Sequence, residues 1–119
     1  MPKAVRLAFT ECMDAAREEE FNRWYTHTHI PDLSKAPGFA RARRFVSMQG
    51  GAPSRYLAIY EFDSPSLETS FAAQRRLIDA THAAGRYIDC LRPVGVFPYR
   101  EIEPAEYQPL ERVSYPVRP

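Results

Sequence analysis

The sequence predicts an α+β domain with element order β-α-β-β-α-β, the ferredoxin-like split βαβ arrangement, with two helices on one face of a four-stranded antiparallel sheet. Three observations carry this. Apolar and polar residues alternate at the period of a strand in PKAVRLAFTE, and FARARRFVSM and RYLAIYEFD read as two further strands. Two longer stretches between them carry helix start and stop signals. A chain of 119 residues suits one compact domain with a real core.

In the first strand, Val5, Leu7 and Phe9 share one face. Asp14 can cap the following helix, and AAREEEFNRWYTHTHI places its acidic residues early, where the helix dipole favours them. Pro31 breaks or restarts that helix, and Pro37-Gly38 closes the segment. Strands two and three are joined through Gly50-Gly51 and Pro53, as in a hairpin. In strand three, Leu57 and Ile59 point one way, and Tyr56, Ala58, Tyr60 and Phe62 the other. The second helix, SPSLETSFAAQRRLIDATHAAG, takes Ser64 as cap, Pro65 in its first turn and Gly85 as its stop. Leu67, Phe71, Leu77 and Ile78 form its buried stripe. The prolines of RPVGVFPYREI suit an edge strand or an interface.

Helices on one face leave the other uncovered, and that face is expected to carry Tyr56, Tyr60 and Phe62. A patch so apolar calls for a cover. Two sheets face to face, a paired barrel with two-fold symmetry, supply it, so a homodimer is expected. The domain is read as residues 1–103, with 104–119 as an extended proline-rich arm lying across the partner or along its own subunit.

The net charge of +1 gives no bulk field toward nucleic acid or membrane. ARARR at 40–44 is the sole basic cluster, and neither a nucleic-acid motif nor an apolar run of spanning length is present. The N-terminus lacks a signal-peptide core, so a cytoplasmic protein is expected. Cys12 and Cys90 stand isolated without CxxC spacing, and are read as reduced bystanders. His27 and His29, at i and i+2, do not share a helix face, so no metal site is expected. No phosphate-binding glycine loop, dinucleotide fingerprint or Ser-His-Asp signature is present, and no cofactor is expected.

The stretch FNRWYTHTHIPDL concentrates the chemistry. Helical spacing aligns Phe21, Tyr25 and His29 in one row with Trp24 beside them, while His27 points toward solvent. Asp32, three residues past His29, can orient its imidazole if the helix continues through Pro31. A histidine walled by aromatics can be tuned for proton transfer. The same residues also fit a plain helix, with the aromatics as core and His29 favoured by the C-terminal dipole.

The run Glu-Glu-Phe-Asn-Arg-Trp-Tyr, then His29-Ile30-Pro31, Pro37-Gly38-Phe39 and Arg43-Arg44-Phe45, resembles the dimeric α/β-barrel superfamily. Its EthD-like branch has the pattern W-Y-x-x-x-H-x-P before P-G and the second strand. The motif covers about thirty residues, and the element order agrees over about the first hundred. The resemblance implies a pocket between helices and sheet lined by His29. Relatives often carry acidic residues where this chain has Thr26 and Thr28, which leaves Asp32 as the nearby carboxylate. The tail beyond Pro104 has no clear counterpart.

These readings give a cofactor-independent lyase, cyclase or isomerase acting on an aromatic or polyketide-like carbonyl compound. His29 would be its general base, Asp32 the orienter and Tyr60 the oxyanion donor. Phe21, Trp24, Tyr25, Tyr56 and Phe62 would line the substrate site, with Arg43 holding a carboxylate. His82, on the second helix, reads as exposed or packed. The alternatives are a monooxygenase or haem-binding enzyme of the same barrel, with His29 as iron ligand, or a non-catalytic dimer that holds a small ligand.

Overall fold

A computed structural model gives the structure of residues 3–103; the expected arm over 104–119 lies outside the described residues. Four strands, β1 (Lys3–Cys12), β2 (Phe39–Val46), β3 (Tyr56–Asp63) and β4 (Leu91–Arg100), form one antiparallel sheet in the order β2-β3-β1-β4. This is the ferredoxin-like order. The strands that carry prolines and arginines, β4 and β2, take the edges, where a missing N–H or a charged side chain costs least. Between β1 and β4 the register shifts at Phe9/Thr10, so that Thr10 faces Pro93 and Val94 is passed over.

Register decides which face meets the helices. Arg6 pairs with Tyr60, Ala4 with Phe62, Ala8 with Ala58 and Thr10 with Tyr56, and all eight are buried. The tyrosines and Phe62 therefore lie under the helices, and the uncovered face is the opposite one. It carries Val5, Leu7 and Phe9 from β1, Leu57 and Ile59 from β3, Phe45 from β2, and Phe97 and Tyr99 from β4. The expectation of a bare apolar face holds, but its residues are exchanged. Ala4, Ala8 and Thr10 are small enough to admit helices above the sheet, whereas Val5, Leu7 and Phe9 are not.

The first helical segment opens with a 3-10 turn (Ala15–Arg17), in which the Asp14 carboxylate accepts from the Ala16 N–H at 3.0 Å. It continues as α1 (Glu18–Trp24), a π turn (Tyr25–His29) and α2 (Ile30–Leu33), with right-handed helical angles at both junctions. Pro31 thus neither breaks nor restarts it. The wider turn, in which the Ile30 N–H reaches the Tyr25 carbonyl five residues back, leaves room where the proline ring would crowd the His27 carbonyl. Helix α3 (Leu67–Ala83) is capped by Ser66, whose Oγ accepts from the Thr69 N–H, and not by Ser64. Ser64 instead bonds the Ser66 N–H and accepts from the buried Ser70 hydroxyl.

The end of α3 shapes the site. Gly85, at φ +71°, donates to the His82 carbonyl, and the Arg86 N–H donates to that of Thr81. This paired arrangement needs a residue free to adopt positive φ. It turns the chain sharply, sending Arg86 and Tyr87 back over the first helical segment.

Candidate functional site

A cavity of about 390 Å³ lies between the helices and the buried sheet face. Arg6 and Thr10 of β1, Tyr60 of β3, Tyr25 and His29 of the first helical segment, and Gln74 and Ile78 of α3 line it, with Tyr87 closing one side. That volume falls in the range of small-molecule sites.

His29 is 4 % exposed and enclosed by rings. Trp24 stacks on it at 4.7 Å and 18°, while Tyr25 and Tyr87 meet it edge-on at 4.9 and 5.3 Å. The indole N–H of Trp24 donates to the Arg86 carbonyl at 2.8 Å, which fixes the plane on which the imidazole rests. Burial holds the imidazole pKa down to about 4, against weaker support for the charge from Asp32. The ring is therefore neutral at neutral pH, and its Nδ1 is buried with no hydrogen-bond partner among the described residues. The π turn keeps Phe21, Tyr25 and His29 on one buried stripe, and His27 is exposed.

Asp32 does not meet His29 as an orienter. Its carboxylate takes a two-pronged ion pair from Arg86, at 2.9 and 3.0 Å, which holds its pKa low. The guanidinium offers two parallel N–H groups, and the Schellman turn brings it to the right place. The pair is half open to water, with Arg86 53 % exposed. Asp32→Asn should then lower stability by no more than about 1 kcal/mol and change catalytic rate by less than about threefold, as urea unfolding and initial rates would show. A larger fall in rate at unchanged stability would restore Asp32 to the chemistry.

Tyr60 and Tyr25 both line the cavity, their hydroxyls 2.8 Å apart and fully buried. Burial raises both phenol pKa values, so both stay neutral, one hydroxyl donating to the other. Phe21, 0 % exposed, packs on Tyr56 at 5.3 Å behind the cavity wall. Tyr56 accepts from the Asn22 side chain, and Phe62 packs edge-on against Phe39 and Phe71; neither lines the cavity. Arg43 points to the uncovered face, paired with Glu61 at 3.1 Å, and so cannot hold a ligand carboxylate in this cavity. Its neighbour Arg44, one position on and hence on the other face, lies 4.5 Å over the Tyr25 ring and bonds Asn22, clamping α1 to β2.

The sequence reading missed Arg6, Gln74 and Tyr87. Arg6 is 5 % exposed, and its guanidinium donates to the Gln74 side-chain carbonyl. Burial lowers its pKa to about 10. Gln74, with no exposure at all, keeps its amide nitrogen without a partner among the described residues. Tyr87 stacks on the exposed ring of His82 at 3.7 Å, and both line the cavity. The available signal was the register: a polar position between two alanines in β1, opposite a strand rich in tyrosine. Cys12 and Cys90, 78 residues apart, are brought to a Sγ–Sγ distance of 3.8 Å by the β1–β4 pairing. Among the described residues, no His, Cys, Asp and Glu side chains gather as a metal site, and no helix is long and apolar enough to cross a membrane.

No known family profile and no curated protein sequence matches the chain. Solved structures do. A proposed antibiotic biosynthesis monooxygenase from Bordetella bronchiseptica superposes with a TM-score of 0.63 at 16 % identity, over 87 % of this chain and all of that one. The chain shares the ferredoxin-like fold of that structure. An ethyl tert-butyl ether degradation (EthD) family protein from Bacillus halodurans shares this fold, at a TM-score of 0.54, 17 % identity, and coverage of 86 % of this chain and 100 % of that one. So does a monooxygenase from Streptomyces coelicolor, at 0.51, 15 % identity, and 92 % and 93 % coverage. At such identities the likeness concerns the fold alone.

Proposed function

We propose that the protein is a monooxygenase of an aromatic or polyketide-like carbonyl compound, in which His29 takes a proton from an acidic carbon and dioxygen oxidises the resulting carbanion. The observation that carries this is the neutral, buried imidazole of His29 set among rings at an aromatic-lined cavity. A planar substrate can pack against such walls, and exclusion of water strengthens every hydrogen bond made to its developing oxyanion. Tyr60, neutral and lining the same cavity, would donate one while accepting from the Tyr25 hydroxyl. The overall change is R₂CH₂ + O₂ → R₂C=O + H₂O, with the substrate's own electrons reducing the oxygen.

The lyase, cyclase and isomerase readings start from the same proton abstraction. Oxygen use is favoured by the neighbours, two of the three described above being named as monooxygenases, one of them holding nanaomycin D. We also propose that a second copy covers the apolar sheet face, where Phe45, Phe97 and Tyr99 are each more than two-fifths exposed. Light scattering should return twice the mass of the chain, and a monomer would contradict the pairing.

The test is an oxygen electrode with anthrone, a tricyclic ketone with one acidic methylene. Uptake of one O₂ per anthraquinone formed, above the rate without protein, is the expected result. Turnover under argon to a rearranged or dehydrated product would replace oxygenation with a lyase, cyclase or isomerase reaction. A haem absorption band in the purified protein would favour the haem-binding alternative.

A further inference from the structure

Arg6 is a buried cation that no carboxylate hydrogen-bonds among the described residues. Its described hydrogen-bond partner is the neutral Gln74 carbonyl, and the Phe71 ring lies 5.9 Å away. Arg75 stands near enough to oppose its charge, and Asp79 and Asp89, which also line the cavity, are exposed. Asp89 is already paired with Arg17 at 2.7 Å. Gln74 repeats the pattern: its oxygen is used by Arg6, while its buried nitrogen has two hydrogens and no acceptor among the described residues. An uncompensated buried cation and an unused buried donor are each costly, and side by side they define a place for something that accepts from both.

We propose that Arg6 and Gln74 form an anion subsite on the cavity wall that receives a carboxylate carried by the substrate. Arg6 supplies the charge, and the Gln74 amide supplies a neutral donor beside it. A carboxylate has two acceptor oxygens, which suits a guanidinium and an amide set side by side. The substrate class is then an aromatic carboxylic acid, held by its acid group while the ring system occupies the rest of the cavity. The subsite rests on the reading of this cavity as a small-molecule site, but not on oxygen chemistry.

Isothermal titration calorimetry with two probes of one shape, 2-naphthoate and the neutral 2-naphthamide, tests it. Wild-type protein should bind the acid about tenfold or more tightly than the amide, the scale of a charge-assisted hydrogen bond. Arg6→Met, in which an apolar chain of similar length replaces the buried charge, should bind the two equally. Gln74→Glu should also lose the preference, because an internal carboxylate would occupy Arg6. Equal binding of both probes by wild type, no binding of the acid, or a preference that survives in Arg6→Met would overturn the proposal. Since the titration needs no turnover, it can succeed where the oxygen electrode fails, and the reverse.

Discussion

Replacing His29 by alanine should lower kcat/KM by at least about a hundredfold, the usual scale of general base catalysis. Alanine also removes a ring from between Trp24, Tyr25 and Tyr87, so a loss of packing could be mistaken for a loss of chemistry. His29→Phe separates the two, because it keeps the stacked ring and deletes both nitrogens. If His29 is the base, both variants are slow, and the phenylalanine variant is slow while fully folded. The pH profile adds a second check. A base must be neutral, and the His29 pKa is held down to about 4 by burial, so activity should persist below pH 6 and fall only as pH drops through about 4. A limb near 6.5, the pKa of a free imidazole, would mean that another group takes the proton. A His29→Phe enzyme with wild-type kcat/KM would remove His29 from the mechanism.

The same burial makes the fold sensitive to acid. In the unfolded chain His29 titrates near 6.5, and in the native structure near 4. Between those values the unfolded state holds the extra proton. Stability from this group is therefore fully present above pH 6.5, declines as pH falls, and is gone below about 4. The total is about 3 kcal/mol, from about 1.4 kcal/mol per pKa unit. The carboxylates held low by arginine partners, Asp32, Glu61 and Asp89 among them, lose their contribution as pH falls through their own lowered values. Comparing wild type with His29→Phe by urea unfolding from pH 7 to 4 isolates the histidine. Wild type should lose about 3 kcal/mol more than the variant. Parallel curves would show that His29 is not buried as a neutral ring.

Local pattern revealed the elements because each is written over neighbouring residues. The alternation of β1, the apolar run of β3, the Asp14 and Gly85 signals and the edge prolines of β4 needed no tertiary knowledge. The row Phe21, Tyr25, His29 survived even the π turn, since one wider turn at its end leaves all three on the buried side. The choice of faces was not legible. Both faces of β3 are apolar, and in β1 hydrophobicity favours Val5, Leu7 and Phe9, the face that the helices leave uncovered. Size decides instead: Ala4, Ala8 and Thr10 leave space for helices, and the aromatics of β3 that pair with them follow.

The site shows the same divide. His29 could be found because two of its aromatic neighbours lie close in sequence, whereas Tyr87 reaches it, and Arg86 reaches Asp32, from more than fifty residues away through the turn at Gly85. Asp32 looked like the orienter because its competitor was invisible. Arg6 was passed over since an arginine in an alternating strand ordinarily faces water. Only the register opposite Tyr60, with Gln74 above, shows that it does not. Arg43 and Arg44 illustrate how one position in a strand exchanges a surface ion pair for an aromatic clamp.

The most direct measurement follows the proton itself. Anthrone incubated with the protein in D₂O without oxygen should exchange its methylene hydrogens faster than in buffer, and His29→Phe should abolish the acceleration. Exchange no faster than buffer, or exchange unchanged in His29→Phe, would contradict proton abstraction by His29 in this cavity.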